Sequence, residues 1–110
     1  MPELIPVQLL DHVAARFRVL GDARRLAILR ELLEHGELSV GELVTRLETT
    51  QANISKHLGV LLQAGIVSRR PEGTSAYYSV TDPSLRGLCD IVCTRLRDQS
   101  IEEARVFASN

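Results

Sequence analysis

Leu9, Val13, Phe17 and Leu20 recur at intervals of three and four, which puts them on one stripe of a helix over residues 7–20. Gly21-Asp22 interrupts that pattern, and Asp22 has the right chemistry to cap a second helix to about His35. Leu26, Ile28, Leu29, Leu32 and Leu33 give the second helix a wide apolar stripe, and Gly36 ends it by the left-handed route. Ser39-Val-Gly-Glu42 reads as a capping box, starting a short third helix through Leu43, Val44 and Leu47. Thr49 or Thr50 caps a fourth helix to Gln63, with Ile54, Leu58, Leu61 and Leu62 on its inner face and Ala64-Gly65 as the stop. Two short strand-like runs follow, Ile66 to Arg70 and Ser75 to Val80, with Pro71-Glu-Gly-Thr74 between them and Gly73 able to take positive φ. Asp82-Pro83 opens a last helix to about Ser100, whose stripe is Leu85, Leu88, Cys89, Val92 and Leu96.

These elements describe a mainly α chain with a small β-hairpin, a winged helix-turn-helix of about five helices plus a two-stranded wing. Residues 1–110 make a single domain, with the helix-turn-helix at 39–63 and the wing at 66–80. The end helices, 7–20 and 82–100, each carry an apolar stripe, and so small a core leaves one of them without a partner. A second copy is the expected cover, a homodimer with two-fold symmetry.

With the apolar positions of the fourth helix turned inward, Ala52, Asn53, Lys56, Val60 and Gln63 point outward at about 100° per residue, and Thr50 and Gln51 stand at the tip. That tip touches base edges in helix-turn-helix proteins. Gln51 and Asn53 can bond adenine through N6 and N7, and Lys56 can reach guanine or phosphate. Ser55 and His57 flank the face and suit backbone contacts, although for His57 a packing or capping role stands beside the phosphate contact. The small Ala52 allows close approach. In the wing, Gly73 and Thr74 lie in the turn, while Arg69 and Arg70 fall on opposite faces of a strand. One is expected on phosphate and the other on a scaffold acid. Tyr78 is assigned to the core and Tyr77 to the surface.

Charge qualifies this picture. The 110 residues carry a formal net charge of −1, whereas many DNA-binding domains are strongly basic. Distribution matters more than the sum. Residues 50–80 hold Lys56, Arg69 and Arg70 against Glu72 alone, while residues 31–48 hold five glutamates against Arg46. A basic reading surface behind an acidic flank suits a dimer on DNA, with salt-sensitive binding. No apolar run approaches the roughly 18 residues that span a bilayer, no signal pattern opens the chain, and a cytoplasmic protein with no membrane partner is expected.

The runs Ser55-Lys-His-Leu58, Leu61-Leu-Gln-Ala-Gly65-Ile and Tyr77-Tyr-Ser-Val80, with Gly73 between them, resemble the ArsR/SmtB family of bacterial repressors. Leu20-Gly-Asp-Ala-Arg-Arg-Leu-Ala-Ile-Leu29 resembles that family's second helix, and the likeness extends from about Leu9 to Leu96. The resemblance implies a homodimer joined through its first and last helices. It also implies binding to a near-palindromic double-stranded operator, repression, and release by an effector. By the family pattern, Thr50, Gln51, Ala52, Ser55 and Lys56 match the DNA-facing positions, and the hairpin from Arg70 to Ser75 matches the wing.

The departures concern metal. Where many metal-sensing members carry Cys-x-Cys, this chain has Ser39-Val-Gly41. At the last helix Asp82 is present, but Ser84 stands in place of a histidine and the later positions read about Arg95 and Asp98. Neither familiar metal site is expected, and Asp82 is read as a helix cap. Cys89 and Cys93 lie one turn apart, and three readings stand for them. They can pack as small hydrophobes, respond to oxidants or persulfides, or bind a metal or metalloid effector together with the partner's pair. No resident cofactor is implied, and no histidine near either cysteine in sequence supports an enzyme. A winged helix used only to bind protein is the rival reading, and alanine at Gln51 and Lys56 separates the two.

Overall fold

Asp22 opens the second helix as expected: its carboxylate accepts the backbone N–H groups of Arg24 at 2.8 Å and Arg25 at 3.2 Å. The computed structural model describes residues 4–108, apart from the side chain of Phe107. A single 3₁₀ turn, Val7–Leu9, leads into α1 (Leu10–Leu20), followed by α2 (Ala23–His35), β1 (Leu38–Ser39) and α3 (Val40–Leu47). Then come α4 (Gln51–Gln63), β2 (Val67–Glu72), β3 (Ser75–Val80) and α5 (Ser84–Ala108).

Caps written into the sequence punctuate the helix-turn-helix. Ser39 and Glu42 form the reciprocal capping box at α3, with distances of 3.1 and 3.0 Å. Thr50, rather than Thr49, caps α4 by accepting Asn53 N–H at 3.1 Å. Between α3 and α4, Glu48 adopts the left-handed conformation at φ 52° and ψ 50°, a turn usually left to glycine or asparagine. Gly65 ends α4 at φ 74°; its N–H reaches Leu62 C=O, and Ile66 N–H reaches back to Leu61 C=O at 3.0 Å. That paired closure buries Ile66 beneath the helix end. Gly36 also has positive φ, 86°, but its ψ of −67° makes it a tighter reversal than the left-handed cap expected there.

The sheet has three strands in the order β1-β3-β2, not two. Leu38 and Ser39 add an antiparallel edge to the wing, pairing with Tyr78 and Tyr77. The hairpin turn is also shorter than expected. Glu72 pairs with Ser75, so only Gly73 and Thr74 form the loop, and Pro71 lies within β2 opposite Ala76. β2 is an edge strand, where a residue lacking an N–H costs little. Positive φ at Gly73 (61°), the first loop position, is the φ pattern of a type II′ turn.

Ile28, Leu29 and Leu32 of α2, Leu43 of α3, and Ile54, Leu58 and Leu61 of α4 meet Leu38, Ile66, Val67 and Leu85 in one core. Each such burial stabilises by about 1.5–3 kcal/mol. Leu26 and Leu62, expected inside, stand at the rim and are exposed. α5 is longer than its apolar stripe suggests, running past Ser100 to Ala108. Its first turns pack through Leu85, Leu88 and Cys89, but every described side chain from Asp90 to Val106 is exposed. The overhang raises the radius of gyration to 17.2 Å, against about 13 Å for a compact chain of this length.

Candidate nucleic-acid interface

At the start of α4, Gln51, Ala52, Ser55 and Lys56 form an exposed strip beginning at the capped tip. Among the described residues, the side chains of Gln51, Ser55 and Lys56 hold no hydrogen bond or ion pair. They are available to bond an outside partner. Asn53 is less so: it is half-buried, and its Nδ2 donates to Thr49 Oγ1 at 2.9 Å. Thr50 Oγ1 accepts the helix N–H and remains exposed.

Of the two readings left open for His57, its burial supports packing rather than a backbone contact. It is 2% exposed, packed inside α4 with its Nδ1 3.4 Å from Arg25 Nη1. A phosphate cannot reach it. At about 100° per residue, position 57 lies on the border between the inner and outer faces, and the turn of α2 beside it closes over the ring.

The wing separates its two arginines as alternation requires. Arg70 is held by the scaffold: Nε and Nη2 donate to the two oxygens of Glu37 at 3.0 and 3.1 Å, and Nη1 donates to Glu72 at 2.7 Å. These bonds hold the Glu37 carboxyl below its usual range and raise the guanidinium pKa further. Arg70 is therefore tied along the sheet rather than offered to a duplex. Arg69, opposite Tyr78, is exposed with no ion pair among the described residues. Gly73 and Thr74 are exposed at the loop. Tyr78 packs on the core.

Asp82 is engaged as the helix cap the sequence suggests. Asp82 accepts Ser84 Oγ at 2.6 Å and Ser84 N–H at 3.0 Å, and it pairs with Arg16 Nη1 at 2.6 Å. The Ser84 hydroxyl, then its backbone N–H, hold the Asp82 carboxyl below the usual range. Cys89 is half-buried against the core, while Cys93 is exposed and its Sγ accepts from Arg97 at 3.3 Å. Glu31, Glu34 and His35 do cluster, but on an open helix face where Arg46 Nη1 meets His35 at 3.1 Å.

Sequence reasoning missed the arginines that bind helices together. Arg16 joins Asp82 and also reaches Ala64 C=O at 3.3 Å, and Arg86 donates to Leu33 C=O at 2.8 Å. Arg25 donates to Val19 C=O at 2.6 Å. Their partners lie up to 66 positions away, and no local pattern marks them.

Residues 22–69 match the sequence profile described as bacterial regulatory protein, arsR family. The chain is 36% identical over 81 residues to the arsenical resistance operon repressor of Bacillus subtilis (strain 168), covering 74% of this chain and 77% of that protein. It is 36% identical over 75 residues to the transcriptional activator HlyU of Vibrio cholerae, covering 68% of each. Among solved structures, it is similar to the homodimeric winged helix-turn-helix DNA-binding domain of a possible regulator from Mycobacterium bovis. That likeness has a TM-score of 0.72 and 32% identity, and covers 87% of both chains.

Proposed function

The chain belongs to the arsR family of bacterial regulatory proteins, as a winged helix-turn-helix DNA-binding regulator of transcription, and from that premise we propose that it is a dimeric repressor of a near-palindromic operator. The observation that carries the proposal is the strip Gln51, Ser55 and Lys56, exposed at a capped helix tip and without partners of its own among the described residues. Two copies, joined through α1 and α5, set their α4 tips about one duplex turn apart, roughly 34–36 Å. Gln51 reads base edges, Lys56 and Ser55 hold phosphate or guanine, and Arg69 with the Gly73-Thr74 loop grips the flanking backbone.

The exposed apolar side chains support the assembly. Phe17 on α1 is 55% exposed and Leu96 on α5 is 58% exposed, with Val92 one turn before it on the same face of the overhang. Burying such a stripe against its own copy removes apolar area from water at about 25 cal/mol per Å². The homodimeric solved relative supports the same assembly. No resident cofactor is required. A signal that releases the operator acts at this seam, where Cys93 and Cys89 offer thiols to an oxidant, persulfide or metalloid. Such an effector works only through its different affinity for the two states, worth about 1–3 kcal/mol. No helix of the described residues is long and apolar enough to cross a membrane, and the proposed place of action is the cytoplasm.

The test is selection from a random duplex pool, followed by footprinting of the recovered sequence. A two-fold protected site with half-sites one turn apart is expected. Equal binding to recovered and scrambled duplexes overturns the reading.

A further inference from the structure

Arg25 extends one guanidinium across three helices. It stands on the first turn of α2, its Nε donates to Val19 C=O at 2.6 Å and its Nη2 to Arg18 C=O at 3.4 Å, both at the end of α1. Its Nη1 lies 3.4 Å from Nδ1 of His57, inside α4. An arginine can only donate, so the contact requires a lone pair on Nδ1 and places the ring proton on Nε2. Nε2 is buried without a hydrogen-bond partner among the described residues. The ring is therefore built into the core as a neutral acceptor, with one costly polar atom left unsatisfied. A side chain wanted only for its bulk has no need of that.

We propose that Arg25 and His57 are the positioning residues that fix the reading helix to α1, and that a neutral His57 is required for tight operator binding. The inference rests on the reading of α4 as the DNA-facing helix and α1 as part of the dimer seam. Protonation turns Nδ1 from acceptor into donor and sets two cations 3.4 Å apart. The guanidinium must then leave the α1 carbonyls, or α4 must shift. Asp22 alone among the charged neighbours favours the protonated ring; burial, Arg25, Lys56 and Arg24 oppose it, so the ordinary histidine range is displaced downward.

The experiment measures affinity of the full chain for the selected duplex and for a scrambled duplex of equal length, by fluorescence anisotropy at about pH 7.5 and about pH 5. The scrambled duplex removes phosphate binding by the exposed His12 and His35. For the wild type, the ratio of specific to scrambled affinity is expected to fall roughly threefold or more between the two pH values, most of it toward the acid end because the ring's range is displaced downward. In His57→Gln, whose amide oxygen accepts but takes no proton, the ratio stays level with pH. In Arg25→Lys, which keeps the charge and loses the fork, the ratio is lowered at both pH values. A wild-type ratio independent of pH, or a parallel fall in His57→Gln, overturns the proposal.

Ring ¹⁵N shifts of the wild type decide the pair independently of how the variants fold. A protonated Nε2 with a bare Nδ1 at neutral pH is expected, and a proton on Nδ1 refutes the pair. Failure to select any duplex counts against the DNA-reading assignment instead, and the ring tautomer still judges the contact.

Discussion

Arg70 lies directly opposite Tyr77 across the hairpin, its guanidinium 5.1 Å from the centre of the tyrosine ring. The same guanidinium is forked onto Glu37, just beyond the end of α2. Its neighbour Arg69, on the other face, has no such tie among the described residues. The two arginines should therefore separate in mutagenesis. Arg69→Ala is expected to weaken binding to every duplex and to lower the salt slope by about one, with thermal stability unchanged. Arg70→Ala should instead lower the melting temperature slightly, since exposed ion pairs contribute little, and leave the salt slope nearly intact. Salt titrations paired with thermal melts check this; an equal loss of slope in both variants contradicts it.

The tip of α4 yields a second pair. Lys56→Ala should reduce affinity for all sequences alike, because a phosphate contact carries no sequence information. Gln51→Ala should cost about 1–3 kcal/mol on the selected duplex and relax preference at one base position per half-site. Binding to a library of single-base variants distinguishes them, and unchanged base preference in Gln51→Ala removes that residue from the reading set.

Acid should act through three capping carboxylates. Backbone N–H bonds, from Arg25 to Asp22 and from Ser39 to Glu42, lead in holding those carboxyls down, as the Ser84 hydroxyl does for Asp82. Their ordinary values are 3.8, 4.5 and 3.8. A depressed folded-state pKa means the unfolded chain takes up protons first as pH falls. The stabilisation is complete above these ordinary values and is lost as pH drops through the lower, folded ones. Urea midpoints should ease downward below pH 6.5, where the unfolded chain protonates His57 before the buried ring does, and decline more steeply from pH 4.5 toward about pH 3. Asp82→Asn should be less stable near neutrality and show a shallower acid limb; an acid limb as steep as the wild type's rules out this linkage for Asp82.

Core and seam should respond to opposite controls. Leu61→Ala, at a fully buried position of α4, should cost about 2–5 kcal/mol at any protein concentration. Leu96→Ala should leave the core of each subunit untouched and move the dimer dissociation midpoint to higher concentration. Sedimentation equilibrium beside urea titration checks both. A Leu96→Ala dimer as tight as wild type excludes that side chain from the seam.

What the chain announces and what it conceals divide along physical lines. Caps and stops are local chemistry, so Asp22, Ser39 with Glu42, Thr50 and Gly65 mark their helices without knowledge of the fold. β1 is only Leu38 and Ser39, too short for any alternation to show, and it exists because β3 offers an edge. The burial of His57 depends on the approach of Arg25 from another helix, which helical periodicity within α4 cannot register. Leu26 and Leu62 have the spacing of core residues, but the core closes before reaching them. The division of labour between Arg69 and Arg70 follows from strand alternation, whereas the choice of Arg70 as the anchored one depends on where Glu37 sits.

Ser39 belongs to two structures at once. It caps the first helix of the helix-turn-helix and pairs as a strand residue with Tyr77 beneath the hairpin. The wing is accordingly an outrigger fixed to the hull, and it has no hinge of its own at that point. Displacing the wing at that strand therefore drags the start of α3 along, and neither part can be re-aimed there without the other.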